Sequence, residues 1–326
     1  MIRESLIRRL SFIVAALLFG GGLALGADAA LAGLPTVLDA VAQRTAQSGA
    51  DGVVRLPVPQ GFDHSRQAPR VLYPVTAAPR PDWLVEAMAP PVLPDTAQKP
   101  VIAICIDDLG AQLAGTHKAM TLPKEVALAF LPYAETTPAL AQAAASRGHL
   151  VLAHVPMQAL NGKEPGAMGL KPDMTAEEIT RRMGWNLARV PGLVGINNHE
   201  GSSFTADSAA LEPVMASLKA RHLFFFDSRT GPQSAVRQVA RAAGVMTASR
   251  DVFLDDDPSP EAVSAELENL AREAKRNGVA IAIGHPHDVT LTLLAKWLAE
   301  DHGVTLVPLD EAMRLKAERR TKVAAR

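Results

Sequence analysis

The stretch "VIAICIDDLG", Val101–Gly110, decides how the rest of the chain is read. Six apolar residues in a row suit a strand buried on both faces, and such strands belong to parallel sheets covered by helices. The strand then runs into two adjacent carboxylates, Asp107 and Asp108. Like charges side by side repel, and a divalent cation at the strand end would offset that repulsion. Successive strand residues face opposite ways, so both carboxylates reach one cavity only if the chain bends. Leu109-Gly110 offers room for that bend.

Working outward, short apolar runs recur from Pro100 to about Leu315: "VALAFL", "LVLAHV", "LVGIN", "LFFFD", "GVMTAS", "VAIAIG" and "VTLVPL". Helix-period segments separate them. Thr175 is a good N-cap with Glu178 three residues on, and Ser259-Pro260 opens another helix. Eight buried runs, each followed by a helix, predict an α/β fold: a distorted (β/α) barrel over 100–315. A doubly wound open sheet is the alternative that periodicity does not separate from it.

The flanks read differently. Arg3, Arg8 and Arg9 precede an apolar run from Leu10 to about Leu25, followed by Ala27-Asp28-Ala29. That is the pattern of a signal peptide over 1–29, giving an exported, periplasmic protein; left uncleaved, it would be an inner-membrane anchor. Residues 30–99 hold many of the 24 prolines and read as an irregular linker or arm, with a short helix near Pro81–Met88. The end, 316–326, reads as a frayed basic tail, the solvated end of a helix. A net charge of -1 gives no basic surplus for nucleic acid, and says nothing of oligomeric state. The one cysteine, Cys105, cannot form an internal disulfide and reads as a small core residue.

Functional groups collect at the carboxyl ends of parallel strands. There the sequence sets Asp107 and Asp108, His154, Asn197, Asn198 and His199, Ser202, Asp227 and Arg229, Arg250, Asp251 and Asp255, and His285 and His287. Asp with His and no Cys suits Zn²⁺ or another borderline divalent ion such as Co²⁺, Mn²⁺ or Ni²⁺. One Asp of the pair would bind the cation and its neighbour would act as base. Asp255–Asp257, just before a capped helix, read as charges opposing its dipole. Trp185 and Trp297 read as core.

"IAICIDDLG", "LAHVPMQ", "GINNHEGSSFTAD", "FFFDSRT" and "AIGHPH" together resemble the divergent polysaccharide deacetylase family, relatives of NodB-type carbohydrate deacetylases. The resemblance covers about Pro100 to Leu309. It implies a distorted (β/α) barrel, a divalent metal, and an N-acetylated glycan such as peptidoglycan as substrate. It also implies Asp107 as general base, Asp108 and His154 as metal ligands, and His285 as general acid. The His-x-x-x-His pair of those enzymes is broken by Gln158, and His199 is the candidate replacement. Asp227 and Arg229 fall near the region that tunes that acid, and Asn198 stands with them as an accessory residue. Two other readings remain open at this level: a glycan- or metal-binding envelope protein without turnover, and a phosphodiesterase on the same barrel.

Overall fold

The computed structural model describes residues 99–324. The expected signal peptide and nearly all of the expected proline-rich arm, including the helix expected near Pro81–Met88, lie outside the described residues. Nine strands form one sheet: β1 (Val101–Leu109), β2 (Ala127–Phe130), β3 (Val151–Met157), β4 (Leu193–Glu200), β5 (Phe224–Asp227), β6 (Thr247–Ser249), β7 (Val252–Phe253), β8 (Val279–Gly284) and β9 (Thr305–Leu306). All pair in parallel, in the order β6-β5-β4-β3-β2-β1-β8-β7, with β9 added beside β1. The sheet is curled and open, a half-barrel of the expected distorted (β/α) kind. The run "VTLVPL" yields only the two-residue β9, and β7 was not foreseen.

Among the described residues seven α-helices lie between strands, α1 (Leu113–Ala119), α2 (Thr137–Ser146), α3 (Ala176–Ala188), α4 (Ser208–Lys219), α5 (Val236–Ala243), α6 (Pro260–Asn277) and α7 (Asp288–Leu298), and α8 (Leu309–Ala324) follows β9. The alternation within β1 explains the layers. Ile102, Ile104 and Ile106 pack outward with helix residues such as Val214 and Leu267. Ala103 and Cys105 face the concave side with Leu152, Phe226 and Ile281, where Leu309, Ala312 and Met313 of α8 join them. Each fully buried Ile or Leu stabilises the fold by about 1.5–3 kcal/mol, so this double-sided burial is what holds β1 at the centre of the sheet. Asp107 continues the concave parity of Ala103 and Cys105, and His154 that of Leu150 and Leu152.

Local signals in the sequence act as their chemistry demands, with two differences. The Thr175 hydroxyl accepts the Glu178 amide at the start of α3, but the Glu178 carboxylate turns to Arg181 and Arg182 instead of closing the box. Trp297 is buried, whereas Trp185 is only half-buried, with the Arg189 guanidinium over its ring.

The tail is helical, α8 running on to Ala324, and the correction there is that Lys316 is buried rather than solvated. Its ammonium contacts both oxygens of Asp251 at 2.6 Å and the Ser249 carbonyl at 3.1 Å. Asp251 also accepts the Ile281 amide. These contacts fasten the seam between β6 and β7, which do not pair with each other.

Candidate active site

The bend that the two carboxylates need lies at Asp108 itself, one residue earlier than the sequence indicated. Asp108 has φ 58°, and the β1–β2 register shifts between Ile106 and Leu109. A non-glycine residue in the left-handed region is uncommon and costs about 1 kcal/mol or more, a strain typical of functional strand ends. Gly110 completes the turn at φ 98°, where a Cβ would lie 2.3 Å from the Thr137 hydroxyl. The bulge rotates Asp108 onto the concave side that Asp107 already faces.

Asp108, His154 and His199 meet there. Asp108 Oδ1 lies 3.2 Å from His154 Nε2 and 2.8 Å from His199 Nδ1, and the two ring nitrogens are 3.3 Å apart. His199 stands opposite Pro156 in the β3–β4 ladder, and His154 opposite Asn197. At position 158 it is the Gln158 backbone that works, its carbonyl accepting the Ser203 and Phe204 amides. Asp108 Oδ1 is buried and no donor reaches it with hydrogen-bond alignment. A buried carboxylate oxygen without a donor costs several kcal/mol unless a cation takes that place. Two of the three separations, 3.2 and 3.3 Å, match the edge of a zinc tetrahedron with bonds near 2.0–2.1 Å, and the third, 2.8 Å, is shorter. Burial alone would push the Asp108 carboxyl up, but the two imidazoles hold it well below the usual carboxylate range. The donor set and the orphaned oxygen therefore fit a divalent ion.

Around the triad, polar groups fix geometry. Asp107 is buried, and its Oδ1 accepts the Asn197 amide at 2.8 Å and the Cys105 thiol at 3.3 Å. Burial first, and the Asp107 charge second, push the Cys105 thiol up, so it stays a thiol and a donor. Asp107 Oδ2 lies 3.8 Å from His154 Nε2. Asn198 staples β4 to the loop after β5: its amide donates to the Glu200 carbonyl and its oxygen accepts the Ser228 amide.

Across the cavity, His285 follows β8. Its Nδ1 lies 2.9 Å from Asp255 Oδ1, and its backbone amide donates to Asp255 Oδ2 at 2.7 Å. Thr290 donates to the same Oδ2 at 2.8 Å. Burial pulls the His285 pKa down, but the Asp255 hydrogen bond and the Asp107, Asp255 and Asp108 charges outweigh it and raise it to about 9. Asp255 is thus the residue that tunes His285. The sequence sets Asp255 at this rim but favours a helix-dipole charge for it, because three consecutive aspartates before a capped helix look alike in text. Asp256 and Asp257 are exposed, and Asp257 does cap the turn at Ser259.

Asp227 and Arg229 lie elsewhere. Asp227 accepts the Ser234 and Ser249 hydroxyls and the Arg229 amide, so its carboxylate organises its own loop. Arg229 is exposed with φ 49°, and it borders a separate shallow cleft. Arg250, not Arg229, reaches the main cavity. It is held by the Ser228 and Arg229 carbonyls and stacks 4.7 Å from the Phe253 ring centroid.

Asp107, Asp108, His154, His199, Asn198 and His285 line one cavity of about 800 Å³. Asp255, His285 and His287 form a second group whose ligand atoms come within 4.8 Å of one another.

Residues 104–313 match the family model described as divergent polysaccharide deacetylase. The uncharacterized protein YibQ of Escherichia coli (strain K12) is 35% identical over 193 residues, which is 59% of this chain and 60% of that protein. An uncharacterized protein of Haemophilus influenzae is 35% identical over the same length, 69% of its own chain. Among solved structures, the uncharacterized protein ATU2773 of Agrobacterium tumefaciens C58 superposes with a TM-score of 0.63 at 29% identity, over 67% of this chain and 90% of that one.

Proposed function

The chain belongs to the divergent polysaccharide deacetylase family, and from that premise we propose that it is a metal-dependent hydrolase removing acetyl groups from envelope carbohydrate. The preferred substrate is an N-acetylated glycan such as peptidoglycan, with O-acetyl esters as a related class. Among the described residues no helix is long and apolar enough to cross a membrane, and export to the periplasm rests on the N-terminal sequence pattern. One observation carries the reading. An unsatisfied Asp108 oxygen and two imidazole nitrogens converge in the same cavity that Asp107 and His285 border.

Asp108, His154 and His199 would hold the divalent ion, for which Zn²⁺ is the candidate from the donor set. When bound, the ion supplies a Lewis acid that polarises an acetyl carbonyl and acidifies water. The chain's own groups do the rest. Asp107 keeps Oδ1 occupied by two donors and has Oδ2 available to take a proton from the attacking water. His285, protonated through neutral pH and oriented by Asp255, gives a proton to the departing amine nitrogen. The amide C–N bond breaks, and acetate and a free amino sugar leave. A base and an acid on opposite sides of one carbonyl suit amide hydrolysis, where the leaving amine must be protonated.

The test is acetate release from N-acetylated chitooligosaccharides and from peptidoglycan by zinc-loaded protein, with Asp107→Asn as control. Release that depends on zinc and on Asp107 supports the reading. Glycan binding with no acetate from either substrate would replace it with a binding role, and hydrolysis of a generic phosphodiester alone would replace the reaction.

A further inference from the structure

We infer that Asn197 is the positioning residue that joins the ligand side of the site to the base side, by fixing which nitrogen of His154 carries the proton. The inference rests on the function proposed above and extends it to a residue that touches neither substrate nor ion. The logic begins at Asp107, whose carboxylate oxygens only accept. The Asn197 group 2.8 Å from Asp107 Oδ1 must therefore be the amide NH₂, which also reaches the Ser228 hydroxyl at 3.3 Å. That fixes the orientation of the amide, and its oxygen faces His154 Nδ1 at 2.9 Å. An amide oxygen only accepts, so Nδ1 must carry hydrogen. In the neutral ring Nε2 is then bare, and its lone pair points at Asp108 Oδ1 and His199 Nδ1, where a cation would sit. The misaligned Asp108 oxygen offers Nε2 no hydrogen bond, and the hydrogen bond that Nε2 makes is to His199 Nδ1 at 3.3 Å, a ring nitrogen that can donate to a bare Nε2.

The placement has a backbone cause. Asn197 is the direct ladder partner of His154 on the neighbouring strand. Asn197, His154 and Asp107 are all buried, at 0%, 2% and 1% exposure, so water does not compete for these bonds. One rigid amide thus aims a ligand lone pair with its oxygen and orients the base with its nitrogen. Groups that orient a metal-binding imidazole are typically worth about 10- to 100-fold in metal affinity.

Two measurements on the whole chain test this. The first is zinc affinity by competition with a chelating dye, for wild type and Asn197→Leu. The variant should bind zinc about 10- to 100-fold more weakly. The second is ¹⁵N–¹H correlation of histidine-labelled, metal-free wild type under conditions where the rings are neutral. His154 should carry its proton on Nδ1, and in Asn197→Leu the proton should shift towards Nε2. A wild-type proton on Nε2, or a variant zinc affinity within threefold of wild type, would overturn the inference. Should Asn197→Leu not fold, the wild-type spectrum alone decides. Should wild type bind no divalent ion, the proposed function falls, while the proton position still tests the role of Asn197.

Discussion

Two Asp–His groups face each other across one cavity, and they are chemically opposite. Asp108 with His154 and His199 has a buried oxygen that no donor satisfies. Asp255 with His285 and His287 has a carboxylate that already accepts a ring N–H, a backbone N–H and a hydroxyl. Both groups have ligand atoms close enough for an ion. Only the first leaves an oxygen without an aligned donor, a place an ion would take; the second carboxylate is already filled by hydrogen-bond donors. His287 is exposed, and its ring centroid lies 6.0 Å from that of His285. Proximity of Asp and His therefore does not define a metal site. The count of donors already committed to the carboxylate does.

The sharpest way to break this contrast is to remove one member from each side and weigh the metal. His154→Ala should lose zinc on desalting and lose activity by several orders of magnitude, since the Lewis acid goes with it. Asp255→Asn should keep zinc at the wild-type ratio. Elemental analysis of both variants checks it, and zinc loss from Asp255→Asn would show that the second group is the ion site after all.

Next in size is Asp107→Asn. Removing a general base costs about 10²- to 10⁴-fold in rate, and Asp107 sits outside the three converging ligand atoms. The expected result is a kcat lowered by that much with zinc retained, read from acetate release and metal content on the same sample. Zinc loss would move Asp107 from base to ligand.

A smaller effect concerns pH. His285 has its folded pKa raised to about 9 from an ordinary value of 6.5. The stability it lends the fold is complete below about 6.5 and is lost as pH rises through about 9. The same titration removes the acid, so kcat should fall on the alkaline side near pH 9. A bound cation offsets the Asp107 and Asp108 charges and moves that limb somewhat lower. Asp255→Asn removes the principal lift, and its limb should move further towards neutrality. Rate profiles of the two proteins side by side decide this, and coincident limbs would detach Asp255 from the acid.

How much of this was legible follows the range of each interaction. The barrel strands were readable because burial on both faces writes itself as a continuous apolar run, as in "VIAICI". Asp107, Asp108, His154, His199 and His285 could be picked out because strand order carries them to one rim, whatever the loops do. The bend at Asp108 was misplaced to Leu109-Gly110 because glycine is the usual residue at positive φ, and here an aspartate takes that conformation. Asp255 stands at the rim in the sequence, but its role does not show there, because its partner is 30 residues away and its own neighbourhood imitates a helix cap. Lys316 was read as tail because nothing near it in sequence shows that Asp251 lies opposite. Asn197 was noted at the rim without a role, because its role depends on which amide atom faces which neighbour.

The finest test of the contrast is Thr290→Val, a near-isosteric change that deletes one of the three donors on Asp255. The loss leaves a carboxylate lone pair unsatisfied in a fully buried place and should cost about 1–3 kcal/mol, measurable by denaturant unfolding. The direction of the second effect is more telling. With one competing donor gone, Asp255 Oδ2 holds more of its charge, and the carboxylate attracts the His285 proton more strongly. The alkaline limb of kcat should therefore move slightly up, opposite to Asp255→Asn, while zinc content stays as in wild type. If Thr290→Val loosened zinc instead, the donors on Asp255 would have been shielding an ion site rather than filling it, and the two corners of the cavity would no longer be chemically distinct.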